Sequence, residues 1–148
     1  IFAKEMIELI NKPKLLNSKR LKKWLLDCSI RYNVKIERLS IFFVDNKRIH
    51  QLNRKFLNHD YATDILTFPY KSTKQIEAEI FISIEKAREN AINFSQTIEN
   101  ELIRLISHGF LHLNGYCDST PDQKRRMTKK EDEMINMFHV EHKASKHV

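Results

Sequence analysis

Glycine is almost absent from this sequence, and proline is nearly as rare. The chain has 148 residues, of which 2 are glycine and 3 are proline. Such scarcity leaves no flexible linker and no low-complexity block, and no internal repeat is visible. Because a chain of this length can bury a substantial core, we expect a single domain.

Cysteine and long apolar segments are also scarce. Cys28 and Cys117 are too few for a disulfide framework, which favours a reducing, cytoplasmic setting. No apolar run approaches the roughly 18 residues that cross a bilayer, so we expect no membrane partner. The first ten residues contain Lys4, Glu5 and Glu8, which argues against a signal peptide.

Positive charge is abundant. The chain has 26 Lys and Arg against 19 Asp and Glu, for a net charge of +7. Charge alone favours a polyanionic partner, either nucleic acid or a membrane surface; of these two, we expect nucleic acid. One acid-free stretch, residues 12–23, contains four cations of a predicted helix: Lys19, Arg20, Lys22 and Lys23. They form either a phosphate-binding surface or an ordinary solvated helix face, and the sequence favours neither.

The apolar pattern predicts elements in the order β-α-β-α-β-β-α-α-α, which indicates one α+β or α/β domain. We expect Phe56 and Phe94 to face inward from the second and third helices. The predicted strands lie within residues 1–10, 39–44, 65–68 and 78–83, and the helices span about 18–32, 47–57, 84–94, 98–113 and 121–138.

Both glycines fall within one short stretch that contains two histidines. His108 and His112 are four residues apart, so a helix would place both rings on one face. Gly115 can adopt the positive φ that ends a helix, and Asp118 or Cys117 follows in the turn. Two helical histidines with one group from the next turn have the three-ligand pattern of a catalytic metal site. Gly109 occupies the position of glutamate in the zincin His-Glu-x-x-His motif, so the usual general base is missing.

The helix that carries these histidines is apolar over most of its circumference. We therefore expect it to be buried, where an unpaired imidazole would be unfavourable. A metal ion would satisfy both rings, and the alternative is a hydrogen-bonded pair of core histidines. Gly109 indicates that another group approaches the helix backbone closely, which a neighbouring strand or helix would also explain.

Several separated motifs resemble one family. His108-Gly-x-Leu-His112-Leu-x-Gly115-Tyr116 is similar to the signature of the YbeY family of bacterial endoribonucleases, which act in rRNA maturation. Asp60-x-x-Thr63-Asp64-Ile-Leu-Thr-Phe-Pro69 and Glu79-Ile-Phe-Ile-Ser83 resemble two further segments of that family. The resemblance extends over residues 1–138.

Two departures from the family pattern affect the site. The family commonly has a third histidine where this chain has Asp118, so Asp118 is assigned as a ligand by position only, with adjacent Cys117 as the alternative. Asp in that place shifts the metal preference towards harder ions. The family also commonly has an arginine where this chain has Leu57, and Arg54, Lys55 or His59 could substitute for it.

The resemblance implies a single α+β domain, residues 1–138, followed by a polar tail, residues 139–148. It implies a four-stranded mixed sheet, about five helices and a zincin-like metal site on a buried central helix. His108, His112 and Asp118 would hold one divalent ion, with zinc favoured, and act through its bound water. Asp64 and His59 are further catalytic candidates. Lys19, Arg20, Lys22, Lys23, Arg54 and Lys55 are RNA-binding candidates.

Three functions fit these features. The first is a metal-dependent, single-strand-specific endoribonuclease that acts in 16S rRNA 3′-end maturation and ribosome quality control, with rRNA and the small ribosomal subunit as partners and no nucleotide cofactor. The second is a non-catalytic ribosome assembly factor with a structural metal. The third, a metallopeptidase, shares the histidines but lacks the His-Glu pair.

Overall fold

The computed structural model describes residues 6–71 and 74–146, with side chains up to residue 140. Its elements follow the predicted order and have these bounds: β1 Met6–Ile10, α1 Ser18–Arg31, β2 Lys35–Val44, α2 Asn46–Leu57, β3 Ile65–Lys71, β4 Gln75–Ser83, α3 Ile84–Asn93, α4 Ile98–Leu113 and α5 Pro121–Lys146. The predicted strand residues 1–5 and loop residues 72–73 lie outside the described part. In the part that is described, no helix has the length and apolar character needed to cross a bilayer.

The four strands form one mixed sheet in the order β1-β2-β4-β3. β1, β2 and β4 are parallel, whereas β3 pairs antiparallel to β4 and forms an edge. This position accommodates Pro69, which lacks the N–H that a central strand requires. The predicted α+β domain with a four-stranded mixed sheet and five helices is confirmed.

Alternate residues of β2 and β4 place two apolar clusters on opposite faces of the sheet. The larger cluster contains Ile41 and Ile80 together with the apolar residues of α1, α4 and α5. The smaller cluster contains Phe81, which packs with Ile49 and Leu52 of α2. α4 lies in the larger layer, in contact with β3, β4, α3 and α5. The helix α4, which carries His108 and His112, is therefore packed between the sheet and the helices α3 and α5.

Capping side chains account for three of the helix starts. Asn17 and Thr97 accept hydrogen bonds from backbone N–H groups in the first turns of α1 and α4. At the start of α5, Thr120 Oγ1 accepts from Gln123 N at 3.1 Å, and Gln123 Oε1 accepts from Thr120 N at 3.1 Å. This reciprocal pair is a capping box and begins the last helix at Pro121.

Three local predictions were wrong. Phe56 is 58% exposed because α2 packs over the edge strand β3, beyond which the sheet offers no further cover. Phe94 is 62% exposed because α3 ends at Asn93, before Phe94 can join its inward face. The last helix does not end near Phe138 but continues to Lys146.

Candidate metal centre

His108 and His112 lie on one face of α4, as their spacing requires. Their ring centroids are 4.5 Å apart, and the two Nε2 atoms approach to 2.9 Å. Both rings are partly buried, so they are held by the protein while their Nε2 atoms remain accessible from a cleft.

Gly115 turns the chain back towards these rings. It has a φ of +89°. Its N–H donates to the His112 carbonyl at 3.0 Å, and the Tyr116 N–H donates to the Leu111 carbonyl at 3.0 Å. This pair of bonds is a Schellman motif, which a glycine at the first position past the C-cap favours. The prediction that Gly115 ends the helix with a positive φ is confirmed.

The turn places Asp118 against both histidines. Its Oδ2 lies 3.4 Å from His108 Nε2 and 3.4 Å from His112 Nε2. One donor atom from each of the three residues lies within 4.8 Å of the other two. In the part of the chain that the structure describes, this is the group of His, Cys, Asp and Glu side chains that could hold a metal ion.

The donor set fits a divalent metal. Ligands of a tetrahedral zinc ion, each at about 2.0–2.1 Å, lie about 3.3 Å from one another. The observed separations of 2.9 and 3.4 Å are close to that value. Two imidazoles and one carboxylate are also a known ligand set of catalytic zinc, which leaves one position open.

Glu131 of α5 is a partner of His108 that we did not predict as a site residue. Its Oε2 lies 2.6 Å from His108 Nδ1, and it is only 6% exposed. Since a carboxylate accepts, the Nδ1–H donates and the Nε2 lone pair faces the cleft. The sequence did contain a signal, because Glu131 interrupts the apolar stripe of Met127, Met134 and Phe138 on α5. A carboxylate on a core-facing stripe needs a polar partner.

A second buried carboxylate, Glu101 of α4, was also missed. Arg104 donates to both of its oxygens, through Nε at 2.8 Å and through a terminal nitrogen at 2.7 Å. These bonds hold the pKa of the Arg104 guanidinium above its ordinary value although burial acts in the opposite direction. Arg104 is therefore a fixed positive charge beside the site.

Asp64 is the catalytic candidate that the structure brings to the metal site. It lines a cleft of about 360 Å³ together with Leu57, His108, His112 and Asp118. The side chain of Asp64 accepts a hydrogen bond at Oδ2 from Asn90 Nδ2 at 3.1 Å, and its backbone carbonyl accepts one from Ser83 N at 2.9 Å. The other residues that line the cleft are Thr63, Ile65, Leu66 and Thr67.

Two other candidates lie elsewhere. His59 is exposed and stacks on Tyr61, with centroids 5.4 Å apart, and it does not line the cleft. Cys117 is also exposed, and its thiol is directed to the Gly115 carbonyl at 3.8 Å. Adjacent residues in a turn point in different directions, which is why the cleft receives Asp118 and not Cys117.

Gly109 allows the sheet to approach the helix. A Cβ at this position would lie 3.0 Å from Ile65 Cδ1, 3.1 Å from Ile80 Cδ1 and 3.3 Å from Thr67 Cγ2. The group that approaches is therefore the pair of strands β3 and β4, one of the two explanations that the sequence left open. A larger side chain such as glutamate would not fit here without displacing these side chains.

The predicted RNA-binding cations divide into three groups. Arg20 packs on the Phe138 ring, 3.7 Å from its centroid, and donates to the Phe138 carbonyl, so it contributes to α1–α5 packing. Arg54 and Lys55 are exposed in the last turn of α2, three and two residues before Leu57, and Leu57 itself lines the cleft. The remaining α1 cations are exposed and do not line the cleft: Lys19, Lys22 and Lys23.

Comparison with known proteins gives consistent results. A family model described as Endoribonuclease YbeY matches residues 6–139. An Endoribonuclease YbeY of Flavobacterium johnsoniae is 42% identical over 103 residues, which cover 70% of this chain and 74% of that protein. One of Cytophaga hutchinsonii is 40% identical over 115 residues, covering 77% and 80%. The solution structure of TM1509 from Thermotoga maritima aligns with a TM-score of 0.66 at 26% identity, covering 95% of this chain and 93% of that one.

Proposed function

Because this chain belongs to the YbeY family of endoribonucleases, we propose that it is a metal-dependent enzyme that cleaves single-stranded RNA. Its proposed role is 16S rRNA 3′-end maturation and ribosome quality control in the cytoplasm, without a nucleotide cofactor. The observation that carries the proposal is the convergence of three donor side chains, from His108, His112 and Asp118, within 4.8 Å of one another in an open cleft. We assign residues 1–138 to the hydrolase domain and residues 139–148 to a polar extension.

His108, His112 and Asp118 would hold one divalent ion, with zinc favoured by the two imidazoles. Bound there, the ion would supply a Lewis acid for phosphodiester hydrolysis. Asp64 lies in the same cleft, and Asn90 occupies its Oδ2. Its other oxygen, Oδ1, receives a long 3.5 Å contact from the Thr63 hydroxyl. We assign Oδ1 of Asp64 as the acceptor of the proton lost by the attacking water.

Exposed cations at the end of α2 would hold the RNA strand through its phosphates. Arg54 and Lys55 lie in the last turn of α2, three and two residues before Leu57, which lines the cleft. Each phosphate contact with a single strand contributes about −0.7 to the slope of log K against log salt concentration. Replacing both residues by glutamine should therefore flatten that slope by about 1.4. An unchanged slope would reject this assignment.

Metal content and RNA cleavage test the proposal together. His108→Ala and His112→Ala should each lower bound metal well below one equivalent per chain and abolish cleavage of single-stranded RNA. His50→Ala is a matched control, because His50 lies on α2, bonded to the exposed Asp60 at 2.8 Å. Full metal occupancy in both cleft variants would reject the metal site, and cleavage by the metal-free protein would reject metal dependence.

A non-catalytic assembly factor with a structural metal is the second candidate. The observation that favours it is the exposed basic face of α1, which carries Lys19, Lys22 and Lys23 away from the cleft. Such a face could contact the small ribosomal subunit without any chemistry. In that case RNA binding would depend steeply on salt, but neither chelation nor Asp118→Ala would change the integrity of the RNA.

A metallopeptidase is disfavoured because Gly109 stands where zincins carry the glutamate that acts as general base. The position that carries the general base in zincins faces Ile65, Thr67 and Ile80. Incubation with an unstructured protein substrate and with single-stranded RNA, under the same conditions, separates the two activities.

A further inference from the structure

A chain of partly buried polar contacts connects two residues that line the cleft. It begins at a metal-ligand candidate, His108, and ends at the proposed proton acceptor, Asp64. Three helices contribute its members, and each contact is a hydrogen bond or an ion pair. The intervening residues are Glu131 from α5, Arg104 and Glu101 from α4, and Asn90 from α3.

At the first end, Glu131 fixes the orientation of His108. The 2.6 Å contact between Glu131 Oε2 and His108 Nδ1 requires the ring proton to be on Nδ1. The Nε2 lone pair then points towards His112 Nε2, 2.9 Å away, and towards Asp118. With the other tautomer, the His108 Nε2 would carry a hydrogen and could not bind a cation.

In the middle, one guanidinium is shared by two buried carboxylates. Arg104 makes the bidentate contact to Glu101 and also lies 3.8 Å from Glu131 Oε1. Glu101 is 2% exposed and Glu131 is 6% exposed, so the guanidinium takes the place of water as the partner of both carboxylates. The position of Glu131 is therefore coupled to that of Glu101.

At the far end, one amide group joins Glu101 to Asp64. Asn90 Nδ2 donates to Glu101 Oε2 at 3.0 Å and to Asp64 Oδ2 at 3.1 Å. The two hydrogens of the Asn90 amide group are therefore donated to two different carboxylates. Asn90 thereby holds Oδ2 of Asp64 and leaves Oδ1 with only the longer contact from Thr63.

We propose that Glu131, Arg104, Glu101 and Asn90 form one positioning unit, which sets the tautomer of His108 at one end and the carboxylate of Asp64 at the other. The ion and the proton transfer that it serves rest on the proposed function. The tautomer itself does not, because it is a property of the protein alone.

The tautomer is measured in the metal-free protein. Histidine 15N chemical shifts, recorded in alkaline buffer where imidazole rings are neutral, should show His108 with its proton on Nδ1. In Glu131→Gln the side-chain amide can donate to Nδ1, so the population with the proton on Nε2 should rise. Wild-type protein with the His108 proton on Nε2 would overturn the proposal without reference to any variant.

Metal affinity gives a second measurement, with zinc alone as the probe. Glu131→Gln should weaken zinc binding by about 10- to 100-fold, the usual effect of losing a residue that orients a metal-binding histidine. Glu133→Gln is a matched control two residues further on α5, where the carboxylate contacts Tyr32 and Lys130 instead. Equal zinc affinity in wild type and Glu131→Gln would contradict the unit, whereas absence of zinc binding by the wild type would contradict the proposed function.

The other end is tested by Asn90→Leu, which removes both donors at similar volume. Zinc affinity should stay near that of the wild type, because the ligands are untouched. The kcat for RNA cleavage should fall by about 10- to 100-fold with little change in KM, since a small misplacement of a catalytic group has effects of this size. If this variant does not fold, Asn90→Ser, which retains one donor, should show a smaller loss. An unchanged kcat in a folded variant would overturn this half of the proposal.

Discussion

Gly109→Ala tests how tightly the sheet fixes the metal-site helix. A Cβ at this position would meet three atoms at 3.0, 3.1 and 3.3 Å, all shorter than ordinary van der Waals contact. Ile80 is fully buried and cannot retreat into solvent, and the Thr67 side chain is β-branched and stiff. Either these side chains leave their rotamers or α4 moves away from β3 and β4.

Two free-energy terms oppose one another. Alanine in place of glycine in a helix interior stabilises by about 1 kcal/mol. Overpacking of a well-filled core costs about 1–3 kcal/mol. Because two of the three contacts involve the fully buried Ile80 or the stiff Thr67, we expect the second term to dominate by about 1 kcal/mol. For a chain of this length that corresponds to a Tm lower by about 2–4 °C.

A double-mutant cycle with Ile80→Val isolates the contact. Ile80→Val alone should cost about 0.5–1.5 kcal/mol because it removes a buried methyl group. In the Gly109→Ala background its cost should be smaller by at least about 0.5 kcal/mol, since the methyl that it removes is the one that clashes. Urea unfolding of the four proteins measures this difference. Strict additivity, or a Gly109→Ala protein that is more stable than the wild type, would refute the reasoning.

Three further predictions concern the turn, its aspartate and the loop before β3. Asp118→Ala should lower zinc affinity by isothermal titration, whereas Cys117→Ala should not; the reverse result would make the thiol the third ligand. Gly115→Ala should destabilise by about 1–2 kcal/mol in urea unfolding, because its φ of +89° is unfavourable for a residue with a Cβ, and an unchanged midpoint would contradict this. The pKa of Asp60 is lowered mainly by its hydrogen bond from His50. The stability that this carboxylate contributes is therefore present above its ordinary pKa of about 3.9 and is lost as the pH falls through the lowered value. Asp60→Asn should be less stable than wild type at neutral pH and equal to it in strong acid, while a constant difference across that range would disagree.

Local features of the site could be predicted from the sequence because they depend on nearby residues alone. The four-residue spacing of His108 and His112 places them on one helix face in any fold. A glycine at position 115 favours a Schellman turn wherever the helix is packed. Thr120 and Gln123 likewise define the start of α5 through a reciprocal pair of hydrogen bonds.

Features that depend on how separate helices and strands pack against one another could not be predicted in this way. Helical periodicity identified inward faces, yet Phe56 is exposed because the neighbouring strand is the last of its sheet. Glu131 meets His108 only because α5 packs along α4, and the two residues are 23 positions apart. Asp64 and Asn90 are 26 positions apart, and they meet only because α3 packs close to the start of β3.

Short-range backbone geometry is enough to place two imidazoles on one helix face, a glycine turn after them and an aspartate soon after that turn. Tertiary structure decided that Asp118 and not Cys117 faces the cleft, that Asp64 and not His59 joins it, and that buried carboxylates orient the site from behind. Those outcomes depend on how separate elements pack, because a buried charge is tolerated only where packing supplies its partner.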